Sequence, residues 1–210
     1  AWLTLADESM RQKLEQFCRQ RGIQFLPILD ASTHMLSRHL GLSATERIAG
    51  QYTLNEGYFQ RISAIDYALA HDDGQNVSGL EDADVVLLGV SRTSKTPTCV
   101  YLANRGVKAG NVPLVPGIPP PQQIFELKKP LVIGLKIGLD RLLQIRGNRL
   151  QSMNEQSVTS YVDEDTVRSE VTEASRLFQR QKWPVIDVSR RSVEETAAAI
   201  LNKLNERRGI

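Results

Sequence analysis

The sequence holds only two cysteines, Cys18 and Cys99, far apart and outside any metal-ligand spacing. That excludes a disulfide scaffold, and a reducing, cytoplasmic setting is expected. Nowhere does an apolar run reach the ~18 residues of a membrane span, so no membrane partner is expected. An excess of one charge is also missing. The 26 basic and 24 acidic residues leave a formal net charge of +2, so no basic surplus points to nucleic acid. Internal repeats and low-complexity segments are absent, which sets aside solenoid and disordered architectures. The opening residues, "AWLTLADESMRQKLEQF", carry acids early and lack the order of a secretory leader. What is there is ordinary for a globular protein: 210 residues, 41% hydrophobic and 24% charged. Such a chain can bury a sizeable core as one domain, or as one domain plus part of another.

Periodicity divides the chain into elements. The spacing of Met10, Leu14, Phe17 and Cys18 predicts a helix over 8–21. "IQFLPILD" (23–30) reads as a strand that Pro27 keeps short or at an edge. "STHMLSRHLG" (32–41) reads as a short helix opened by Ser32 and closed by Gly41. A polar stretch, 43–56, leads into a helix over 57–74, where Tyr58, Ile62, Ile65 and Leu69 recur and Gly74 is the expected stop. "DVVLLG" (84–89) is a near-continuous apolar run, as in a buried parallel strand. A helix is expected over 95–106, with Pro97 in its first turn and Gly106 at its end. Further strands are expected at 112–115, 130–137 and 183–189, and helices at 139–150 and 164–181. Residues 113–121 hold five of the nine prolines and read as a stiff loop. A last helix opens on the capping box Ser192/Glu195 and stops near Gly209. Strands alternating with helices predict an α/β fold, a largely parallel sheet flanked by helices.

The stretch "GVSRTSKTPT" (89–98) carries the chemistry. Gly89, Val90, Ser91, Arg92, Thr93, Ser94, Lys95 and Thr96 nearly spell a phosphate-binding loop, with Ser94 in place of the second glycine. A strand precedes the loop and a helix follows, so unpaired N–H groups and the helix dipole would make an anion site. Lys95 would neutralise terminal phosphates, and the Thr96 hydroxyl would face Mg2+. If Ser94 needs φ > 0 it costs roughly 1–2 kcal/mol; in the right-handed region it is harmless. The plainer reading is a hydroxyl-rich turn capping a helix.

Other groups stand beside it. In "HDDG" (71–74), Asp72 and Asp73 would face the negative end of a helix dipole, an unfavourable placement that hints at proton transfer or Mg2+ binding. The plainer reading is a helix end capped by Gly74. Arg146 and Arg149, with Arg141 before them, share a helix face and would clamp a phosphate or form a solvated basic surface. Arg190 and Arg191 follow the last strand and would approach the nucleotide there, and Asp187 at the strand end would reach the metal; burial of the strand alone also explains its apolar letters. His34 and His39 read as ordinary surface or core-edge residues.

Four separated blocks, "YFQRISAIDYALAHDDG", "DADVVLLGVSRTSKTPTCVYLANRG", "DRLLQIRGNRL" and "WPVIDVSRRSVEETAAAIL", together resemble the pyruvate, phosphate dikinase regulatory proteins. That family shares a superfamily with the phosphoenolpyruvate synthase regulatory proteins. The resemblance extends to "ILDASTHMLSRHLG" and so to nearly the whole chain. Members carry a further N-terminal strand–helix segment with an "SDGTGET"-like stretch, so the resemblance implies an N-terminally truncated chain. It also implies the remnant of a small N-terminal α/β domain over 1–45, a linker and helix over 46–80, and a phosphate-loop kinase-like domain over 81–210.

The resemblance implies a bifunctional enzyme. One activity is an ADP-dependent kinase that inactivates pyruvate, phosphate dikinase by phosphorylating a threonine beside its catalytic histidine. The other removes that phosphate with inorganic phosphate and releases pyrophosphate. On this carry-over Gly89 to Thr96 bind ADP, Lys95 holds the transferring phosphoryl group and Thr96 the Mg2+. Members carry Gly or Ser at the position of Ser94. Asp72 or Asp73 is then the expected acceptor of the threonine proton. The same activity on phosphoenolpyruvate synthase, a phosphate-loop kinase for a small metabolite, and a nucleotide sensor without catalysis are the alternatives. A homodimer stays open.

Overall fold

The computed structural model describes residues 2–3, 8–42, 56–153 and 161–209. The linker read at 43–56 falls almost wholly outside them. The chain divides into two compact units, Ala1–Leu54 and Asn55–Ile210. In the first, β1 (Trp2–Leu3) pairs in parallel with β2 (Leu26–Pro27). Helices α1 (Glu8–Gln20) and α2 (Ile28–Leu40) follow these strands, and Leu3 and Cys18 are buried. The strand predicted over 23–30 shrinks to two residues. Helix α2 starts at Ile28, four residues earlier than predicted, because Pro27 sits at its N-cap where a missing N–H costs nothing. Gly41 closes it with φ 64°, as predicted.

The second unit holds α3 (Glu56–Ala70), a 3-10 turn (Val77–Asp82), β3 (Val85–Gly89), α4 (Lys95–Ala103), β4 (Ala109–Pro113), the short α5 (Gln123–Glu126), β5 (Leu131–Lys136), α6 (Leu139–Met153), α7 (Glu164–Arg180), β6 (Val185–Asp187) and α8 (Val193–Arg208). Its strands are parallel in the order β4-β3-β5-β6. Helices flank the sheet, so the fold is α/β as expected. Val85 to Leu88 are fully buried, which explains their unbroken apolar run. The capping box at Ser192 and Glu195 forms in both directions, and Gly209 closes α8.

The order of the strands positions the site. The chain leaves β3 through α4 to β4 on one side, then crosses to β5 and continues to β6 on the other. Right-handed crossovers therefore put α4 and the α6–α7 pair on opposite faces. Connections diverge from the C-terminal ends of β3 and β5, and ligands of such sheets gather in the crevice between them.

Two boundaries differ from the sequence reading for one reason. Helix α3 ends at Ala70, before Gly74, because residues 71–74 turn to pair with β4: Asn111 donates N–H to the His71 carbonyl (2.9 Å) and accepts from Gly74 N–H (2.8 Å). That covers the outer edge of β4. Strand β4 in turn spans 109–113, shifted from the predicted 112–115. Its register opposite Val85 to Gly89 recruits Ala109, Gly110 and Asn111, which carry little apolar signal. No helix of the described residues is long and apolar enough to cross a membrane.

Helix α7 closes on β5 through a bare backbone position. A Cβ at Gly134 would lie 2.5–2.7 Å from three atoms of the Phe178 ring, itself fully buried. Gly134→Ala is expected to destabilise the fold by about 1–3 kcal/mol through this overpacking. Urea unfolding midpoints check it, and Phe178→Leu in the same chain should recover part of the loss.

Candidate functional site

The loop after β3 and the first turn of α4 lie at the crevice. Gly89 is required there, since a Cβ would sit 2.7 Å from Thr93 Oγ1 and 2.9 Å from the Leu135 carbonyl oxygen. Thr93 is buried and its hydroxyl donates to the Val90 carbonyl (2.9 Å), which folds the loop back on itself. Arg92 has φ 76° and Ser94 φ 58°, both left-handed. Ser94 thus takes the costly branch, at about 1–2 kcal/mol. It stands at the N-cap of α4 with no side-chain cap bond, and its carbonyl accepts from Thr98 N–H (3.1 Å) and the Thr98 hydroxyl (2.7 Å). The hydroxyl of Ser94 therefore does not act as the helix cap, which leaves the first-turn N–H groups of α4 without that partner.

Lys95 is only 6% exposed, and its ammonium donates to the carbonyls of Gly89 (2.8 Å) and Val90 (3.1 Å). Burial lowers its pKa to about 8, against the opposing attraction of Asp73 and Asp72. Beneath it the Cys99 thiol is pushed up by burial and stays protonated.

The two aspartates do meet the loop. Thr96 donates its hydroxyl to Asp72 Oδ1 (2.9 Å), and Asn111 donates from Nδ2 to the same oxygen (2.5 Å). Asn111 Nδ2 also lies 3.0 Å from Thr96 Oγ1 and 3.4 Å from Asp73 Oδ1. Carboxylates only accept, so the amide nitrogen must face them, and one direction runs through the chain: Asn111 to Thr96 to Asp72. Asp73 is exposed and has φ 49°. The aspartates lie just past the last turn of α3, in the 71–74 segment that pairs with β4.

The opposite flank of the loop is held by residues that the sequence reading assigned otherwise or missed. Arg146 is neither a phosphate clamp with Arg149 nor part of a solvated face. It is 1% exposed and paired with Glu170 of α7, Nη2 to Oε2 2.6 Å and Nη1 to Oε1 3.2 Å. It also donates to the carbonyls of Tyr161 (3.2 Å) and, more distantly, Ser91 (3.5 Å). Its guanidinium lies over the Tyr161 ring, 4.6 Å from the centroid. The Tyr161 oxygen accepts from Arg92 Nε (3.1 Å) and sits 3.3 Å from Ser91 Oγ. Burial alone would raise the pKa of this phenol, but the hydrogen bonds of Ser91 and Arg92 and the charges of Arg92 and Arg146 outweigh it and lower it. Arg149 is exposed, as are Arg190 and Arg191. Asp187 spends its carboxylate on the Ser189 hydroxyl and N–H, which hold it below the usual carboxylate range, and Ser189 reaches Gly138. Those bonds close the turn that follows β6. His34 and His39 are exposed.

Among the described residues no three His, Cys, Asp or Glu side chains form a metal cluster. The oxygens of Thr96 and Asp72 nevertheless suit a hard cation that keeps most of its ligands from water and phosphate. Asn111 was legible only as a polar residue in a segment of strand length. Tyr161, next to a polar stretch and far from the loop in sequence, gave no signal.

The Lys95 ammonium is expected to titrate near pH 8, with roughly ten protonated molecules per neutral one at pH 7. Because the unfolded lysine titrates higher, this group makes the fold more stable as pH rises from about 8 to 10.5. Asp73→Asn removes an attraction and should lower the value further. Lysine side-chain NMR of the two proteins checks both statements.

Comparison with known proteins agrees on a family. The model of the kinase/pyrophosphorylase family matches residues 1–201. A relative from Hyphomonas neptunium, provisionally named pyruvate, phosphate dikinase regulatory protein, is 61% identical over 99% of this chain and 75% of its own length. Relatives of the same provisional name from Caulobacter vibrioides and Sphingopyxis alaskensis are 55% and 50% identical over 98% and 97% of the chain. The chain spans 65% and 76% of their respective lengths. With 201 of 210 residues matched, the chain belongs to the kinase/pyrophosphorylase family.

Proposed function

We propose that this chain is an ADP-dependent protein threonine kinase and phosphate-dependent pyrophosphorylase whose target is pyruvate, phosphate dikinase. The observation that carries the reading is the convergence at one crevice of Lys95, the N-terminus of α4, Thr96 and two carboxylates. Phosphoryl transfer asks for positioning and charge neutralisation more than for covalent chemistry, and this set supplies both. The names of the relatives supply the target.

The loop N–H groups and Lys95 hold the diphosphate. Lys95 exchanges its bonds to Gly89 and Val90 for phosphate oxygens, whose charge raises its pKa and keeps it protonated. Thr96 and Asp72 would hold Mg2+, which neutralises phosphate charge when bound. Asp72 is already engaged by Thr96 and Asn111, which leaves the exposed Asp73 as the proton acceptor. The threonine oxygen of the target attacks the β-phosphorus of ADP, the bond to the bridging oxygen breaks, AMP leaves, and Asp73 takes the hydroxyl proton. In the other direction an oxygen of inorganic phosphate attacks the phosphothreonine phosphorus. The bond from that phosphorus to the threonine oxygen breaks, pyrophosphate is formed, and Asp73 passes a proton to the departing threonine oxygen.

Incubation with dikinase and ADP is expected to give phosphothreonine and AMP, read by mass spectrometry. ATP consumption on a small metabolite with no protein labelling would refute the reading. Lys95→Ala should abolish both directions together, and survival of either would break the shared site. Asp73→Asn should lower both rates by about 10²–10⁴-fold, the usual worth of a positioned base. Asp72→Asn should instead weaken the Mg2+ dependence, seen as a higher metal concentration at half-maximal rate.

A further inference from the structure

A cavity of about 430 Å³ opens beside the loop, between the proline-rich segment 114–120 and α7. It lies within the usual size range for small-ligand sites. It is lined by Val90, the residue after Gly89, whose carbonyl lies 3.1 Å from the Lys95 ammonium. Cavity and lysine are thus separated by a single residue. Glu170, the buried partner of Arg146, also lines it, so the pair that reaches Ser91 and Tyr161 forms part of its wall.

The two long walls differ. On one side Pro116, Pro119 and Pro120 stiffen a turn closed by the Val115–Ile118 bridge, with Gly117 at φ 71°. That turn leaves Ile118 64% exposed, an apolar face without a cover. On the other, α7 contributes the apolar Ala174 and Leu177 together with Glu173, Arg176 and Arg180, the two arginines four residues apart. A cavity lined by apolar residues and two arginines suits a flat heteroaromatic ring, which stacks on apolar walls and on guanidinium planes alike.

We infer that this cavity receives the base and sugar of the nucleoside diphosphate whose phosphates lie on the 89–96 loop. The inference rests on the proposed phosphate-binding role of that loop. It assigns selection of the nucleotide to segment 114–120 and α7, outside the loop motif. It also gives the Arg146–Glu170 pair a part: a ligand in the cavity borders Glu170, which fixes Arg146 and through it the Ser91 carbonyl.

The test is calorimetric binding of ADP and of pyrophosphate to the wild-type protein, Ile118→Ala and Ala174→Leu. Pyrophosphate probes the loop without a base. Both substitutions are expected to raise the Kd of ADP by about tenfold while pyrophosphate stays within about twofold. Ile118 is exposed, so its variant reads the cavity even if Ala174→Leu fails to fold by thermal melting. ADP affinity unmoved overturns the inference, as does an equal loss for both ligands, which would place the effect in the loop. A raised KM for the protein acceptor with ADP affinity unchanged also overturns it and gives the cavity to the acceptor. A wild-type protein that binds neither ligand overturns the reading of the loop and this inference with it.

Discussion

The buried pair between Arg146 and Glu170 is the constraint on which the candidate site depends. Side-chain exposures of 1% and 8% put both charges where removing one partner costs about 3–5 kcal/mol, because the other is left bare. The intact pair need not add net stability, since desolvation offsets much of the attraction. Its value lies in direction. The guanidinium is planar, and once two of its nitrogens are committed to Glu170 the remaining geometry is fixed. From that fixed plane it reaches the Tyr161 carbonyl and lies over the Tyr161 ring, with the Ser91 carbonyl near its other edge. The Tyr161 hydroxyl in turn accepts from Arg92. Helices α6 and α7, whose own packing is ordinary, thereby set the position of a loop that neither of them contains.

A second set of constraints acts from the other flank. Arg92 and Ser94 in the loop, and Asp73 beside it, are left-handed without being glycine. Each such residue costs of order 1–3 kcal/mol and persists only where its surroundings over-determine it. Here the surroundings can be named. Arg92 is tethered to Tyr161, the Ser94 carbonyl takes two bonds from Thr98, and Asp73 lies in the segment pinned to β4 by Asn111. Asn111 does this twice over. Its backbone holds 71–74 as an edge, and its side chain reaches both aspartates and Thr96.

The sheet was legible because its physics is local. The unbroken apolar run of β3, the capping box of α8 and the Pro97 at the start of α4 each declare an element without reference to anything distant. The edges of the site were not. Strand β4 opens with Ala109, Gly110 and Asn111, which carry little strand signal until Val85 to Leu87 lie opposite them. The end of α3 is set by that same strand, so one missed register moved two boundaries. Within the site, the order Gly89 to Thr96 could be read as a loop, but its conformation could not, since the left-handed Ser94 depends on what grips Thr98 and Lys95. Arg146 looked like a basic surface because its i, i+3 neighbour is Arg149; only the 24-residue reach to Glu170 reveals it as buried.

Placing Lys95 under the loop has a consequence for how such a site tells ligands apart. An exposed lysine attracts any anion, since its charge is fixed and its hydration is retained. Buried and bonded to the Gly89 and Val90 carbonyls, Lys95 already has two acceptors and a pKa brought down to about 8. A weak or singly charged anion gains little by displacing them. A multiply charged phosphate gains more, because it replaces neutral dipoles with full charges in a site of low dielectric. On the proposed reading, the cost of burying Lys95 is the means by which the loop prefers a diphosphate.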